Sequence, residues 1–134
     1  MTLEIETYPN KEKLANSAAN EFSRHARLAI TRHGSFSVAL AGGSTPRVLY
    51  NLLAGKEYAS KLDWERIHLF WGDERCVPPY HPDSNYRMAR KMLIDRVPIP
   101  EVNVHHMQGE LSPEEGALVY EQLLYRYFSW KTPV

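Results

Sequence analysis

Polar and apolar positions near the start of the chain follow two different periods. Residues 3–8 alternate, with Leu3 and Ile5 separated by glutamates, which predicts a short strand near the edge of a sheet. After Asn10, apolar side chains return every three to four residues as far as His33, and this spacing predicts one long helix with a single buried face. Asn10 is a suitable N-cap and Gly34 supplies a stop signal, so the sequence marks both ends of this helix.

The rest of the chain alternates between short apolar runs and helical patterns. Continuous apolar runs predict buried strands at residues 36–41 and 67–71, with a weaker one at 102–107. Helices are predicted from Pro46, from a cap at Asp83 or Ser84, and from the capping box at residues 112–115. This alternation predicts an α/β fold with a largely parallel sheet and flanking helices, Rossmann-like in arrangement, as a single domain over residues 1–134.

Composition narrows the class of protein. Lys+Arg and Asp+Glu both number 16, so no net field would attract nucleic acid or an acidic membrane. The hydrophobic fraction of 43% suits a globular protein, and no apolar run approaches membrane-spanning length. The single cysteine, Cys76, cannot form an internal disulfide, which fits a reducing compartment. We therefore expect a cytoplasmic protein, in which an anionic ligand would need a local site.

A glycine loop follows the first buried strand. Gly42 and Gly43 precede Ser44 and Thr45, and the next helical pattern begins directly afterwards. Glycines allow close backbone approach to a ligand, and the N–H groups at a helix N-terminus attract anions. The loop therefore suggests a phosphate site, although an ordinary strand-to-helix turn with a Ser/Thr cap has the same pattern.

A charged loop follows the second buried strand. Arg75 could bind a phosphate or carboxylate with two hydrogen bonds, and Asp73 or Glu74 could orient Arg75, hold a hydroxyl group or act as a base. The alternative is a solvated turn whose charges pair with each other. Ser84 and Asn85 come next, either as a helix cap or as part of the same cleft. Ligands of parallel sheets bind beyond the carboxyl ends of the strands, so both loops are candidates for one site.

Together, these loops resemble those of the glucosamine-6-phosphate isomerase/6-phosphogluconolactonase family, and in particular its 6-phosphogluconolactonases. The segments that carry the resemblance are residues 41–46 (AGGSTP), 70–78 (FWGDERCVP) and 83–86 (DSNY). The resemblance extends to the N-terminal helix and to the last helix, so it covers nearly the whole chain.

The resemblance implies hydrolysis of 6-phosphoglucono-1,5-lactone to 6-phosphogluconate in the oxidative pentose phosphate pathway, without a metal or a cofactor. It also implies the fold of the glucosamine-6-phosphate deaminases. The sugar-phosphate partner would contact residues that match the family pattern in the two loops. Carried over to this chain, Gly42, Gly43, Ser44 and Thr45 would cradle the phosphate, Arg75 would bind the anionic or carbonyl end with support from Asp73, and Ser84 and Asn85 would line the site.

The resemblance further implies a histidine base within an Asp-Gly-His segment, and these 134 residues contain no such segment. We therefore expect the chain to correspond to the N-terminal portion of a lactonase. Its sheet would be incomplete at the C-terminal end and would leave an edge for a missing half or for self-association to cover. His81 lies closest to Arg75 in sequence, but Pro79 and Pro82 indicate a surface loop there. His68 is expected to pack on a sheet face.

Two alternatives stay open. A related glucosamine-6-phosphate deaminase would use a carboxylate such as Asp73 to move a proton, and it would release ammonia from glucosamine 6-phosphate. A truncated, inactive paralogue would bind a sugar phosphate or a protein partner, and it would retain 6-phosphogluconate without turning over the lactone.

Overall fold

A parallel pair of strands forms the centre of the fold. The computed structural model describes residues 2–129, so Met1 and residues 130–134, which the single-domain prediction included, lie outside the described residues. Strand β1 (Phe36–Leu40) pairs with β2 (Ile67–Trp71) in a parallel register that places Val38 opposite Leu69. The structure thus confirms the α/β fold class, and the bounds predicted for β2 match those observed.

Five α-helices accompany the two strands in the described residues. They are α1 (Lys11–His33), α2 (Ser44–Leu53), α3 (Lys56–Ala59), α4 (Asn85–Met92) and α5 (Pro113–Phe128). Short 3-10 turns cover Trp64–Arg66, Ile94–Arg96 and Glu101–Asn103. None of the helices in this part of the chain has the length and apolar character needed to cross a membrane.

Helix α1 begins and ends at the residues that its sequence marks. The side chain of Asn10 accepts a hydrogen bond from the backbone N–H of Lys13 at 2.9 Å, as an N-cap should. At the other end, Gly34 adopts a left-handed φ of 83° and donates its N–H to the carbonyl of Ile30 at 2.9 Å. A stripe of buried residues faces the core along the helix: Ala15, Ala19, Phe22 and Ala26.

The hydrophobic core lies between the strands and the helices packed on them. Leu53, Ile67, Leu69 and Leu93 are its largest fully buried side chains, and they come from α2, β2 and the end of α4. Burial of each such side chain contributes roughly 1.5–3 kcal/mol. Helix α2 packs against both α1 and α4, so the ends of the strands and the starts of α2 and α4 keep a fixed relation.

Tyr120 fastens α5 to the end of β2. Its hydroxyl accepts a hydrogen bond from the backbone N–H of Trp71 at 2.9 Å and donates to the carbonyl of His105 at 2.9 Å. Burial raises the pKa of Tyr120, so the phenol keeps the proton that it donates. The last helix therefore borders the point where the charged loop leaves the sheet.

Three predicted elements differ from the structure. Residues 3–8 form no strand: they follow an irregular path, and Leu3 is 85% exposed, because the alternating segment pairs with neither β1 nor β2. Residues 102–107 contribute only a 3-10 turn and a single parallel bridge, between Val104 and Leu69. Helix α2 begins at Ser44, two residues before Pro46, because Gly43 already provides the turn.

Candidate functional site

The glycine loop is fastened at its start by a buried tyrosine. The hydroxyl of Tyr50 accepts a hydrogen bond from the backbone N–H of Ala41 at 2.9 Å and donates to the carbonyl of the same residue at 2.7 Å. Burial raises the pKa of Tyr50 to about 12, so the phenol remains protonated at neutral pH. The local sequence pattern around Tyr50 gives no indication of this contact.

Both glycines of the loop occupy positions that other residues fit poorly. A Cβ atom on Gly42 would lie 2.9 Å from Nδ2 of Asn85 and closer still to Cγ and Oδ1 of that side chain. Gly43 has a φ of 102°, which L side chains rarely adopt. The loop therefore requires glycine at two successive positions. At Gly42 a side chain would overlap Asn85, and at Gly43 the backbone conformation disfavours any side chain.

Helix α2 starts directly after Gly43. No side chain among residues 2–129 caps this end of the helix, so no described side chain accepts from the first N–H groups of α2. Lys11 contributes a positive charge here, since its Nζ donates to Oγ of Ser44 at 3.2 Å. Sequence reasoning missed Lys11, because it precedes the loop by more than thirty positions and has the pattern of an ordinary exposed helix residue.

Glu74 joins the charged loop to the start of α4. One carboxylate oxygen accepts hydrogen bonds from the backbone N–H groups of Arg75 at 2.8 Å and Asn85 at 2.7 Å. The other accepts from the N–H of Tyr86 at 2.9 Å and from the hydroxyl of Ser84 at 3.3 Å. The sequence analysis considered Glu74, like Asp73, as a group that could orient Arg75, hold a hydroxyl group or act as a base, and it did not identify these partners on α4.

Asn85 connects the two loops. Its side-chain amide donates to the backbone carbonyl of Asp73 at 3.3 Å and to the carboxylate of Asp73 at 3.4 Å, while the same amide packs against Gly42. Ser84 caps α4 by accepting from the N–H of Arg87 at 3.1 Å, and it is only 2% exposed. The structure thus brings Gly42, Asp73 and Asn85 together and assigns Ser84 a capping role; contact between Ser84 and a ligand stays a prediction.

Arg75 is exposed to solvent. The Arg75 side chain borders a cavity of about 520 Å³ that opens between the charged loop and α5. Glu74 and Cys76 line the cavity on the loop side, and Tyr120 and Leu124 line it on the helix side. The cavity adjoins the charged loop, and the residues that line it do not include Gly42 or Gly43.

His68 and His105 form a pair on the face of the sheet, next to Tyr127. Nδ1 of His68 lies 3.1 Å from Nε2 of His105, and the ring of Tyr127 packs against both. Burial lowers the pKa of both histidines, with the charge of His68 adding to the effect at His105. This confirms that His68 packs on the sheet face. His81 accepts a hydrogen bond from the N–H of Asp83 at 3.1 Å, within its own loop.

No three His, Cys, Asp or Glu side chains converge as metal ligands would anywhere between residues 2 and 129. The polar groups that the two loops present are the backbone N–H groups at the start of α2, the amide of Asn85 and the charged side chains of Asp73 and Arg75. Such a set can bind an anion and orient a polar substrate.

Comparison with known proteins identifies the family of the chain. The model of the family described as glucosamine-6-phosphate isomerases/6-phosphogluconolactonase matches residues 9–134. The 6-phosphogluconolactonase of Nostoc sp. is 42% identical over 126 residues, which are 93% of this chain and 51% of that protein. The chain thus spans about half the length of the curated relatives that it matches.

Solved structures share the fold as well. The 6-phosphogluconolactonase of Trypanosoma cruzi has a TM-score of 0.83 at 25% identity, covering 98% of this chain and 53% of the other. A monomeric glucosamine-6-phosphate deaminase has a TM-score of 0.80 at 18% identity, over 93% of this chain and 51% of the other, and that likeness concerns the fold alone. On the sequence match and the shared architecture, the chain belongs to the glucosamine-6-phosphate isomerase/6-phosphogluconolactonase family.

Proposed function

We propose that the protein hydrolyses 6-phosphoglucono-1,5-lactone to 6-phosphogluconate. The observation that carries the proposal is the contact of Asn85 with both Gly42 and Asp73, which places the glycine loop and the charged loop side by side. The Nostoc relative with 42% identity is a 6-phosphogluconolactonase, which supports the same reaction. The activity is proposed for a protein of the relatives' full length, since this chain spans about half of it.

The glycine loop suits the phosphate end of this substrate. The N–H groups at the start of α2 would donate to phosphate oxygens, the hydroxyls of Ser44 and Thr45 would add further donors, and Gly42 and Gly43 would allow the close approach. Lys11 would offset part of the phosphate charge from the edge of the loop. Binding energy from the phosphate would then hold the lactone carbonyl in place for reaction.

The charged loop suits the reacting end. The guanidinium of Arg75 would donate to the carbonyl oxygen, where negative charge develops as water attacks. Asp73, held by the amide of Asn85, would orient the substrate or the attacking water. An oxyanion stabiliser and a positioned water suit a lactone, because a lactone is an activated ester and needs no covalent intermediate.

Hydrolysis of the lactone by the purified full-length protein tests the proposal. The lactone would be generated in place from glucose 6-phosphate, and the product would be followed with 6-phosphogluconate dehydrogenase against a protein-free blank that records spontaneous hydrolysis. We expect Arg75→Ala to lower kcat/KM by about 10²–10³, the cost of losing an oxyanion donor. Arg32→Ala, an exposed arginine in the last turn of α1, is the matched control. Equal rates for wild type, both variants and the blank would refute the proposal.

A deaminase is the second candidate, because the carboxylate of Asp73 lies beside the glycine loop where a proton-transferring base could act. Ammonia release from glucosamine 6-phosphate, together with no hydrolysis of the lactone, would favour this candidate. Binding of 6-phosphogluconate with neither reaction would instead indicate an inactive sugar-phosphate binder.

A further inference from the structure

We propose that Glu74 is a positioning residue whose carboxylate sets the place of Arg75 relative to the glycine loop. The inference rests on the proposed function only for what Arg75 contacts; that Glu74 holds the loop is independent of it. The arrangement centres on one side chain that receives four hydrogen bonds from two separate segments of the chain.

Glu74 accepts hydrogen bonds from its own loop and from the start of α4. On its own loop, the N–H of Arg75 is held at 2.8 Å, which fixes the backbone from which the guanidinium extends. On α4, the N–H groups of Asn85 and Tyr86 are held at 2.7 and 2.9 Å. The first N–H groups of a helix have no partner within the helix, so these two donors depend on an acceptor from elsewhere. Glu74 is that acceptor, and it thereby ties the loop to the helix.

The negative charge of Glu74 matters as well as its shape. A carboxylate offers acceptor sites on both oxygens, whereas a glutamine of the same size offers one acceptor oxygen and turns an N–H₂ group towards N–H donors. A carboxylate at a helix N-terminus also interacts favourably with the helix dipole. Glu74→Gln therefore keeps the volume and removes about half of the acceptor capacity together with the charge.

Asn85 links Glu74 to the glycine loop through direct contacts. Glu74 fixes the backbone of Asn85, and the side chain of Asn85 contacts both Asp73 and Gly42. Release of the α4 end would therefore loosen Asp73 and the Gly42 contact along with Arg75. One carboxylate thus aligns the residues that are proposed to bind the two ends of the substrate.

Amide hydrogen exchange of the full chain without ligand tests the positioning role. In Glu74→Gln we expect the N–H groups of Arg75, Asn85 and Tyr86 to exchange about tenfold faster, while the amides of β2 stay protected. Glu114→Gln, which makes the same charge change at an exposed position in the first turn of α5, should leave all of them unchanged. Unchanged exchange at the three amides would overturn the inference, and so would equal acceleration throughout β2, which would indicate general destabilisation.

A double-mutant cycle tests whether Glu74 acts through Arg75. The dissociation constant of 6-phosphogluconate would be measured by calorimetry with the full-length protein as wild type, Glu74→Gln, Arg75→Ala and the double variant. We expect Glu74→Gln to weaken binding about tenfold when Arg75 is present and by much less when it is absent, since residues that act as a unit are not additive. Equal weakening in both backgrounds would overturn the positioning role. If wild type does not bind 6-phosphogluconate, the proposed function fails, and the exchange experiment alone decides whether Glu74 holds the loop.

Discussion

The glycine loop and the charged loop lie side by side, but different physical causes hold them. The glycine loop depends on space: Gly42 leaves room for Asn85, Gly43 supplies an unusual φ, and Tyr50 fastens its start with two uncharged hydrogen bonds. The charged loop depends on a carboxylate that gathers four donors. A change of volume should therefore damage the first loop, and removal of a charge should damage the second.

Gly43→Val should have the largest effect, because a β-branched residue at a φ of 102° adds backbone strain to a blocked phosphate approach. We expect the free energy of unfolding to fall by about 3 kcal/mol, the upper end for one strained residue. Urea unfolding and calorimetric titration with 6-phosphogluconate would measure stability and affinity. Gly72→Val is the control, since φ there is not positive and the nearest atom to a new Cβ is 3.8 Å away. Equal losses at both glycines would contradict the account of Gly43.

Gly42→Ala should have the next largest effect, because the new methyl group would overlap the amide of Asn85 and turn it away from Asp73. We expect a loss of about 2 kcal/mol in stability, within the range typical of overpacking, and weaker binding of 6-phosphogluconate. Asn85→Ala provides a rescue test: in that background the methyl group has room, and Gly42→Ala should cost little more. A full additional cost in the double variant would show that Asn85 is not the obstacle.

Tyr50→Phe should have a smaller effect and should act on the glycine loop alone. Two hydrogen bonds to the backbone of Ala41 would be lost, at a cost of about 1.5 kcal/mol in the free energy of unfolding. The matched control is Tyr58→Phe, which removes the bond from Tyr58 to Asn20 at 2.7 Å, away from both loops. We expect both variants to lose stability and only Tyr50→Phe to lose affinity for 6-phosphogluconate. An equal change in affinity for the two would show that Tyr50 does not act on the loop.

A change to mildly acidic pH should have the smallest effect, and it should act through the paired histidines His68 and His105. Burial lowers the pKa of His68 and His105 from 6.5, so the folded chain favours their neutral forms. Their contribution to stability is therefore fully present above pH 6.5 and is lost as pH falls through that value towards the lower folded pKa values. Unfolding midpoints between pH 8 and 5 would show this decline, and His105→Gln should flatten it, whereas exposed His33→Gln should not. A decline of the same size in His105→Gln would assign it to other groups.

Local signals in the sequence predicted most of the elements around the site. The cap at Asn10 and the stop at Gly34 predicted α1, the apolar run predicted β2, and the capping box at Ser112 predicted the start of α5, where the hydroxyl of Ser112 accepts from the N–H of Glu115 at 3.2 Å. Residues 3–8 show the limit of such signals. An alternating pattern predicts a strand only if another strand is available to pair with it, and that condition is not written in the pattern.

The two candidate loops could be identified from the sequence, but the contacts that join them could not. By itself, the sequence determined the α/β class, the bounds of α1 and β2, and which loops carry glycines and charges, because caps, apolar periods and turns act between near neighbours. Only the tertiary structure decided that Asn85 packs against Gly42, that Glu74 binds the start of α4, and that Tyr50 and Lys11 serve the glycine loop. These contacts join residues distant in sequence, and they form only once packing of the core has brought the ends of the strands and the starts of the helices together.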